Sequence, residues 1–106
     1  MTDWEFTDST SWGGKPIARC IAEISGRCRV IVSGTIVNES QVMIGSSQSV
    51  VFVLDDSTGE IDLLFVGQKS VSGMVLGAKC KIEGTAREDS GKIVVWNPIY
   101  EINYYP

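Results

Sequence analysis

The chain has 106 residues, enough for one domain and one modest core. Its 43% hydrophobic and 21% charged residues suit a globular protein in water, and its longest unbroken apolar run, residues 50–54, is far too short to span a bilayer. A formal net charge of −4 argues against strong, non-specific binding to nucleic acid.

The first residues, MTDWEFTDSTSW, lack the basic start and apolar core of a secretory leader, so a cytoplasmic protein is expected. Cys20, Cys28 and Cys80 have no CxxC spacing and the chain has no histidine, which leaves a zinc site without support. Three thiols packed as small hydrophobes are the expectation. The charge is unevenly placed. Asp3, Glu5 and Asp8 stand in the first fourteen residues, which hold no base. No base lies between Arg29 and Lys69, whereas Lys69, Lys79, Lys81, Arg87 and Lys92 gather later. A polyanion would prefer that later half.

Residues 1–14 lack periodicity and read as an acidic, aromatic tail ahead of a domain at 15–106. Trp4, Phe6 and Trp12 either pack back on the domain edge or form a segment that takes a partner. Residues 15–24 read as a short helix. Pro16 suits its first position, and Ile17, Cys20, Ile21 and Ile24 make one apolar stripe. Residues 27–44 read as a long extended run bent at Gly34, with Asn38, Glu39 and Ser40 as an interruption and residues 45–49 as a turn. Two apolar strands follow at 50–54 and 61–66, joined by the turn DDSTG. Alternation puts Ile61, Leu63 and Phe65 inside, and leaves Leu64 and Val66 on an outer face that needs a partner. Residues 68–77 are a connection that plugs one barrel end with Val71, Met74 and Leu76. Residues 78–87 alternate cleanly, with small inward residues that leave room for bulky ones opposite. Residues 88–91 turn the chain into a strand at 92–97. Asn97-Pro98 must break that strand, and residues 99–104 continue extended.

Five strands in the order long-bent, hairpin pair, connection, hairpin pair match an all-β, five-stranded OB-fold Greek-key barrel with a short N-terminal helix. The periodicity alone also allows a small sandwich or an SH3-like barrel.

Catalysis finds little support. Asp55 and Asp56 sit in a turn that favours Asp for backbone reasons. No Ser-His-Asp set is possible without histidine, and no cysteine has a base beside it. A non-enzyme with no cofactor or metal is expected. Arg29, Lys79, Lys81, Arg87 and Lys92 could meet phosphates or form a solvated face. Trp96 and Tyr100 could stack on bases or cover the core.

The pieces RVIVSGTIV (29–37), FVLDDSTGEIDLLFVG (52–67), GMVLGAKCKIEGTARE (73–88) and GKIVVWNPIYEI (91–102) resemble bacterial single-domain OB proteins of the anticodon-binding type and the wedge domain of fork-remodelling helicases. The closing NP-x-YE is similar to that of small actinobacterial nucleic-acid-binding OB proteins. The resemblance implies a module that holds single-stranded or branched DNA or RNA, with no chemistry of its own. It also implies a binding face on the second and third strands, framed by residues 38–49 and 88–91. That face would offer Phe52, Leu64 and Val66. The central hairpin and first loop hold no Lys or Arg, so binding should be weak. The alternative is a protein-interaction or self-association module that uses the acidic hairpin and the apolar outer face. No membrane partner is expected.

Overall fold

The computed structural model describes residues 11–12 and 15–106. Most of the expected tail at 1–14 lies outside the described residues. Within it, Ser11–Trp12 pairs antiparallel with Lys15–Pro16.

Six strands form one sheet: β1 (Cys28–Ile44), β2 (Ser47–Asp55), β3 (Glu60–Phe65), β4 (Lys79–Asp89), β5 (Lys92–Trp96) and β6 (Ile99–Tyr104). β1 pairs with β2, β2 with β3, β3 in parallel with β5, and β5 with β4. β4 returns to β1 from Lys79 to Ala86 and closes the barrel, which is an OB-fold. β6 continues β5 along β4 after a break. That break is Asn97-Pro98. Asn97 has a φ of 48°, its N–H donates to the Leu64 carbonyl at 2.7 Å, and its Oδ1 accepts the Val66 N–H at 3.0 Å.

The inward residues follow from the two-residue period. Val30, Val32, Ile36, Val50, Phe52, Leu54, Ile61, Leu63, Phe65, Cys80, Ile82, Ala86 and Val95 are all buried in one cluster. Phe52 and Phe65 meet edge to face at 5.9 Å. β4 supplies the expected small residues. A Cβ at Gly84 would stand 2.5 Å from Val95 Cγ1, so glycine there makes room for the branched side chain of β5.

β1 serves both halves of the barrel because it bends. Thr35 is the last partner of β4 and the first partner of β2. At this crossing Gly34 brings its Cα against β2: a Cβ there would lie 2.5 Å from the Asp55 carbonyl oxygen. The register shift follows between Ile36 and Asn38. Beyond it, β1 stays paired to Ile44, and only Gly45 and Ser46 lie between the strands. The expected interruption at Asn38–Ser40 and loop at 38–49 are therefore an extended hairpin arm. Gly45, at φ 60°, supplies the positive φ that a two-residue hairpin needs at its first position.

The expected helix at 15–24 is corrected to an extended segment with one 3-10 turn, Ile21–Glu23. The backbone of Ala18 is committed to β1: its N–H donates to the Arg29 carbonyl at 3.0 Å, and its carbonyl accepts the Ile31 N–H at 2.9 Å. Sheet hydrogen bonds at this edge outweigh weak helix propensity in so short a segment. Ile17, Ala18 and Ile21 are still buried, so part of the apolar stripe docks as its composition requires.

The connection between β3 and β4 contains no helix. Val71 and Met74 plug the barrel end, whereas Leu76 is 57% exposed, a second correction. Backbone bonds from Gly77 N–H to the Ile36 carbonyl (2.8 Å) and from Ile36 N–H to the Ala78 carbonyl (2.9 Å) tie this segment to β1 and leave Leu76 on the outside.

Candidate functional site

The outer face of β2, β3 and β5 is where the sequence features best suited to a ligand meet. Val51 and Val53 point outward from β2, Asp62 and Leu64 from β3, and Val94 and Trp96 from β5. Register aligns them into two rows across the strands. One runs Ser40, Val51, Leu64, Trp96. The other runs Asn38, Val53, Asp62, Val94, Arg87. Trp96 is 44% exposed, and the Arg87 guanidinium lies 5.9 Å from its ring centroid. A cation at that distance restrains the indole, contributes roughly 0.5–1 kcal/mol, and keeps a charge beside an aromatic face.

The nine sequence-predicted residues divide. Leu64, Trp96 and Arg87 share this face, and Val66 extends it half-buried at the end of β3. Leu64 points outward as expected but is only 5% exposed, flanked in register by Val51 and Trp96, so the expectation that it needs a partner to cover it is corrected. Phe52 is corrected to an interior residue. It is fully buried because the inward set of β2 is Val50, Phe52 and Leu54, and it offers no surface to a ligand. Lys92 is exposed at the β4–β5 turn, opposite Asp89 in register.

The remaining bases lie elsewhere. Lys79 stands eight residues from Arg87 on β4, a separation of roughly 26 Å along an extended strand. Its Nζ lies 5.9 Å from the Tyr104 ring. Near it an open groove of about 600 Å³ is lined by Ser33, Thr35, Asp55, Lys79 and Asn103. Lys81 is half-buried on the same stretch of β4. Arg29 is paired with Glu83 at 3.0 Å through Nη2, and its Nη1 donates to Thr85 Oγ1 at 3.4 Å. The Glu83 side chain is 1% exposed, so this pair is a structural one in which the guanidinium compensates a buried carboxylate. The bases gathered in the sequence thus do not form one patch.

The turn between β2 and β3 has its own task. Asp55 Oδ1 accepts the Ser57 N–H at 2.7 Å. Asp56 Oδ1 accepts the N–H and hydroxyl of Thr58 and the N–H of Gly59, and its Oδ2 accepts the Ile21 N–H at 2.8 Å. Burial acts to raise its pKa, but the Thr58 hydroxyl and the three backbone N–H groups outweigh it and hold the carboxyl below its ordinary value. Thr58 Oγ1 also accepts the Ala22 N–H at 3.0 Å. The acidic turn is therefore the cap of the N-terminal 3-10 turn. Sequence reading missed this role because Asp56 and Ile21 are far apart in the chain. It also missed Val51, Val53 and Val94 as members of the outer face, although the inward parity of Ile61 and Leu63 would have placed them once β2 and β5 were registered against β3.

Cys80 lies in the core, and burial pushes its thiol up to about 11; Cys20 and Cys28 are half-buried. Among the described residues, no helix is long and apolar enough to cross a membrane.

By sequence, the chain matches no family model and no curated protein. Its fold matches solved structures. The OB domain of Ta0387 from Thermoplasma acidophilum aligns with a TM-score of 0.55 at 15% identity, over 85% of this chain and 90% of that one. A chain of the Stn1-Ten1 complex from S. pombe aligns with a TM-score of 0.54 at 15% identity, over 76% of this chain. The alignment spans 61% of that longer chain. At this identity the likeness establishes the OB-fold and carries no anticodon-binding or helicase-wedge type.

Proposed function

We propose that this chain is a non-catalytic OB module that holds single-stranded or branched nucleic acid on the outer face of β2, β3 and β5. The observation that carries the reading is the exposed Trp96 ring flanked by Arg87, in register with Leu64 and Val51. A base stacked on Trp96 would gain about 1–3 kcal/mol, and Arg87 would meet the adjoining phosphate. The non-catalytic part is supported by the lack of histidine, the buried Cys80 thiol, and the engagement of Asp55 and Asp56 in turn hydrogen bonds. The test is fluorescence anisotropy with a short labelled oligothymidine at low and physiological salt. Trp96→Ala should weaken binding by roughly 5- to 100-fold. Arg87→Ala should reduce the salt slope by about one. No salt-sensitive binding, or equal binding by Trp96→Ala, overturns the reading.

A protein partner on the same face is the second reading. It is favoured by the outward residues of β2 and β3, which hold Val51, Val53, Leu64 and Asp62 and no base. The Stn1-Ten1 neighbour is itself a complex of two proteins, which fits an OB-fold used this way. Binding of a protein that is lost in Val51→Asp, by a chain silent toward oligonucleotides, would favour it.

A further inference from the structure

We infer that the outer edge of the β1 hairpin arm, at Glu39, Gln41 and Met43, is a self-pairing edge that joins two copies of this chain in antiparallel register. The inference does not rest on the nucleic-acid reading and concerns a different surface.

The directions of the backbone groups follow from the turn. Ile44 and Ser47 flank a two-residue loop and therefore form a hydrogen-bonded pair. Ile44, Val42 and Ser40 then direct N–H and C=O toward β2, while Met43, Gln41 and Glu39 direct theirs away. An independent bond agrees: the Glu39 N–H donates to Asn38 Oδ1 at 2.7 Å, so it is not spent on β2.

Backbone cover for this edge of β1 stops short of the arm, where the β3–β4 connection meets only the Gln41 side chain, whose Nε2 donates to the Lys69 carbonyl at 2.8 Å. β4 pairs it as far as Thr35, and the backbone of Gly77 and Ala78 takes Ile36. Among the described residues no backbone group reaches the outward N–H of Gln41 or Met43. The usual guards of an exposed edge are charged side chains, lysine above all, proline and bulges. Residues 38–44, NESQVMI, hold one charge, Glu39, and neither Lys nor Pro, the register shift lies before them, and Met43 is 61% exposed.

The occupant that fits is a second copy, because the edge is self-complementary about Gln41. A twofold there sets Gln41 against the partner's Gln41 and Glu39 against the partner's Met43, so the single charge never meets itself. The Gln41 N–H donates to the carbonyl of the partner's Gln41, and the Met43 N–H to that of the partner's Glu39. The Glu39 N–H, already satisfied by Asn38, is not needed. So short a contact gives a weak dimer in a concentration-dependent equilibrium.

Sedimentation velocity of the full chain from micromolar to millimolar concentration tests this, with circular dichroism to confirm that each variant is folded. Wild type should shift from monomer toward dimer. Gln41→Pro removes an outward N–H while leaving the backbone bonds to β2 in place, and should weaken the dimer at least ~10-fold; Gln41→Ala, which loses only the side-chain bonds to Lys69 and Gln48, is its control and should still dimerise. Gln41→Lys and Gln41→Glu should each be monomeric alone and should dimerise when mixed. A strict monomer overturns the inference and leaves the edge to a foreign strand. A dimer unaffected by Gln41→Pro, or charge variants that fail to rescue each other, overturns it by placing the contact elsewhere. Should Gln41→Pro not fold, the charge pair decides alone. Oligonucleotide binding by Gln41→Pro, which changes no charge, should be unchanged, which separates this outcome from that of the proposed function.

Discussion

Gly34→Ala should destabilise the barrel by about 2 kcal/mol, and the structure says why. The added Cβ would stand 2.5 Å from the Asp55 carbonyl oxygen, 2.9 Å from its carbonyl carbon and 3.2 Å from the Asp56 Cα. All three are backbone atoms, so no side chain can rotate away. The strands must separate where β1 passes from β4 to β2. Overpacking of this kind costs roughly 1–3 kcal/mol. Loss of unfolded-state freedom returns roughly 0.4–1 kcal/mol, and Gly34 has no positive φ to add further strain. With the clash at the severe end, the net is about 2 kcal/mol, a fall in Tm of roughly 8–16 °C for a domain of this size. Thermal melts by circular dichroism and urea titrations measure it. The urea midpoint should fall with an unchanged slope. A variant as stable as wild type would show that the bend does not depend on this contact, and that the hinge of the long strand lies elsewhere.

Asp56→Asn should lower stability at neutral pH by about 1–2 kcal/mol, since an amide cannot accept on both sides as the carboxylate does. Because folding lowers the Asp56 pKa, its contribution is full above the unfolded carboxyl value and is lost as pH falls through the folded one. Urea midpoints of variant and wild type should therefore converge in strong acid. Arg29→Ala should cost roughly 3 kcal/mol in a urea melt, because it takes the guanidinium from a buried Glu83 carboxylate. Gly84→Ala should destabilise through its contact with Val95 Cγ1, and Val95→Ala should recover part of that loss in a double-mutant cycle. Iodoacetamide at mildly alkaline pH should modify Cys20 and Cys28 before Cys80, whose thiol is buried and pushed up to about 11; mass spectrometry reads the order.

What was legible in the sequence depended on whether one face of a strand met water. Residues 78–87 alternate because β4 has a wet side, and Ile61, Leu63 and Phe65 were separable because Asp62 marks the outside. Residues 50–54 are apolar at every position, so their parity was hidden and Phe52 was placed on a surface it does not reach. The run at 27–44 read as extended, but the polar Asn38, Glu39 and Ser40 read as an interruption, and the resemblance made 38–49 a loop. These residues are mostly polar and exposed, and what holds them as strand is backbone pairing with β2. The N-terminal stripe gave the burial of Ile17 and Ile21 correctly and the geometry wrongly, because both can reach the core from an extended chain as well as from a helix. Glu83 alternates with the small inward residues of β4, yet it is buried, because the neighbouring strand brings Arg29 over it, which its local sequence does not show.

The scatter of the bases follows from the same topology. β4 is shared by three partners: β1 along one side, and β5 and then β6 along the other. Residues that alternate outward along it, from Lys79 to Arg87, therefore sit beside different strands and face different surroundings. Arg29 is drawn to Glu83 and Lys79 to Tyr104, and Arg87 alone of these three lies beside Trp96. A sequence count of bases thus overstates the positive surface a ligand would meet. If nucleic acid binds here, its affinity must come mainly from stacking and apolar contact on the Trp96 row, with a shallow salt dependence. A steep salt slope would place the ligand on the Lys79 side instead.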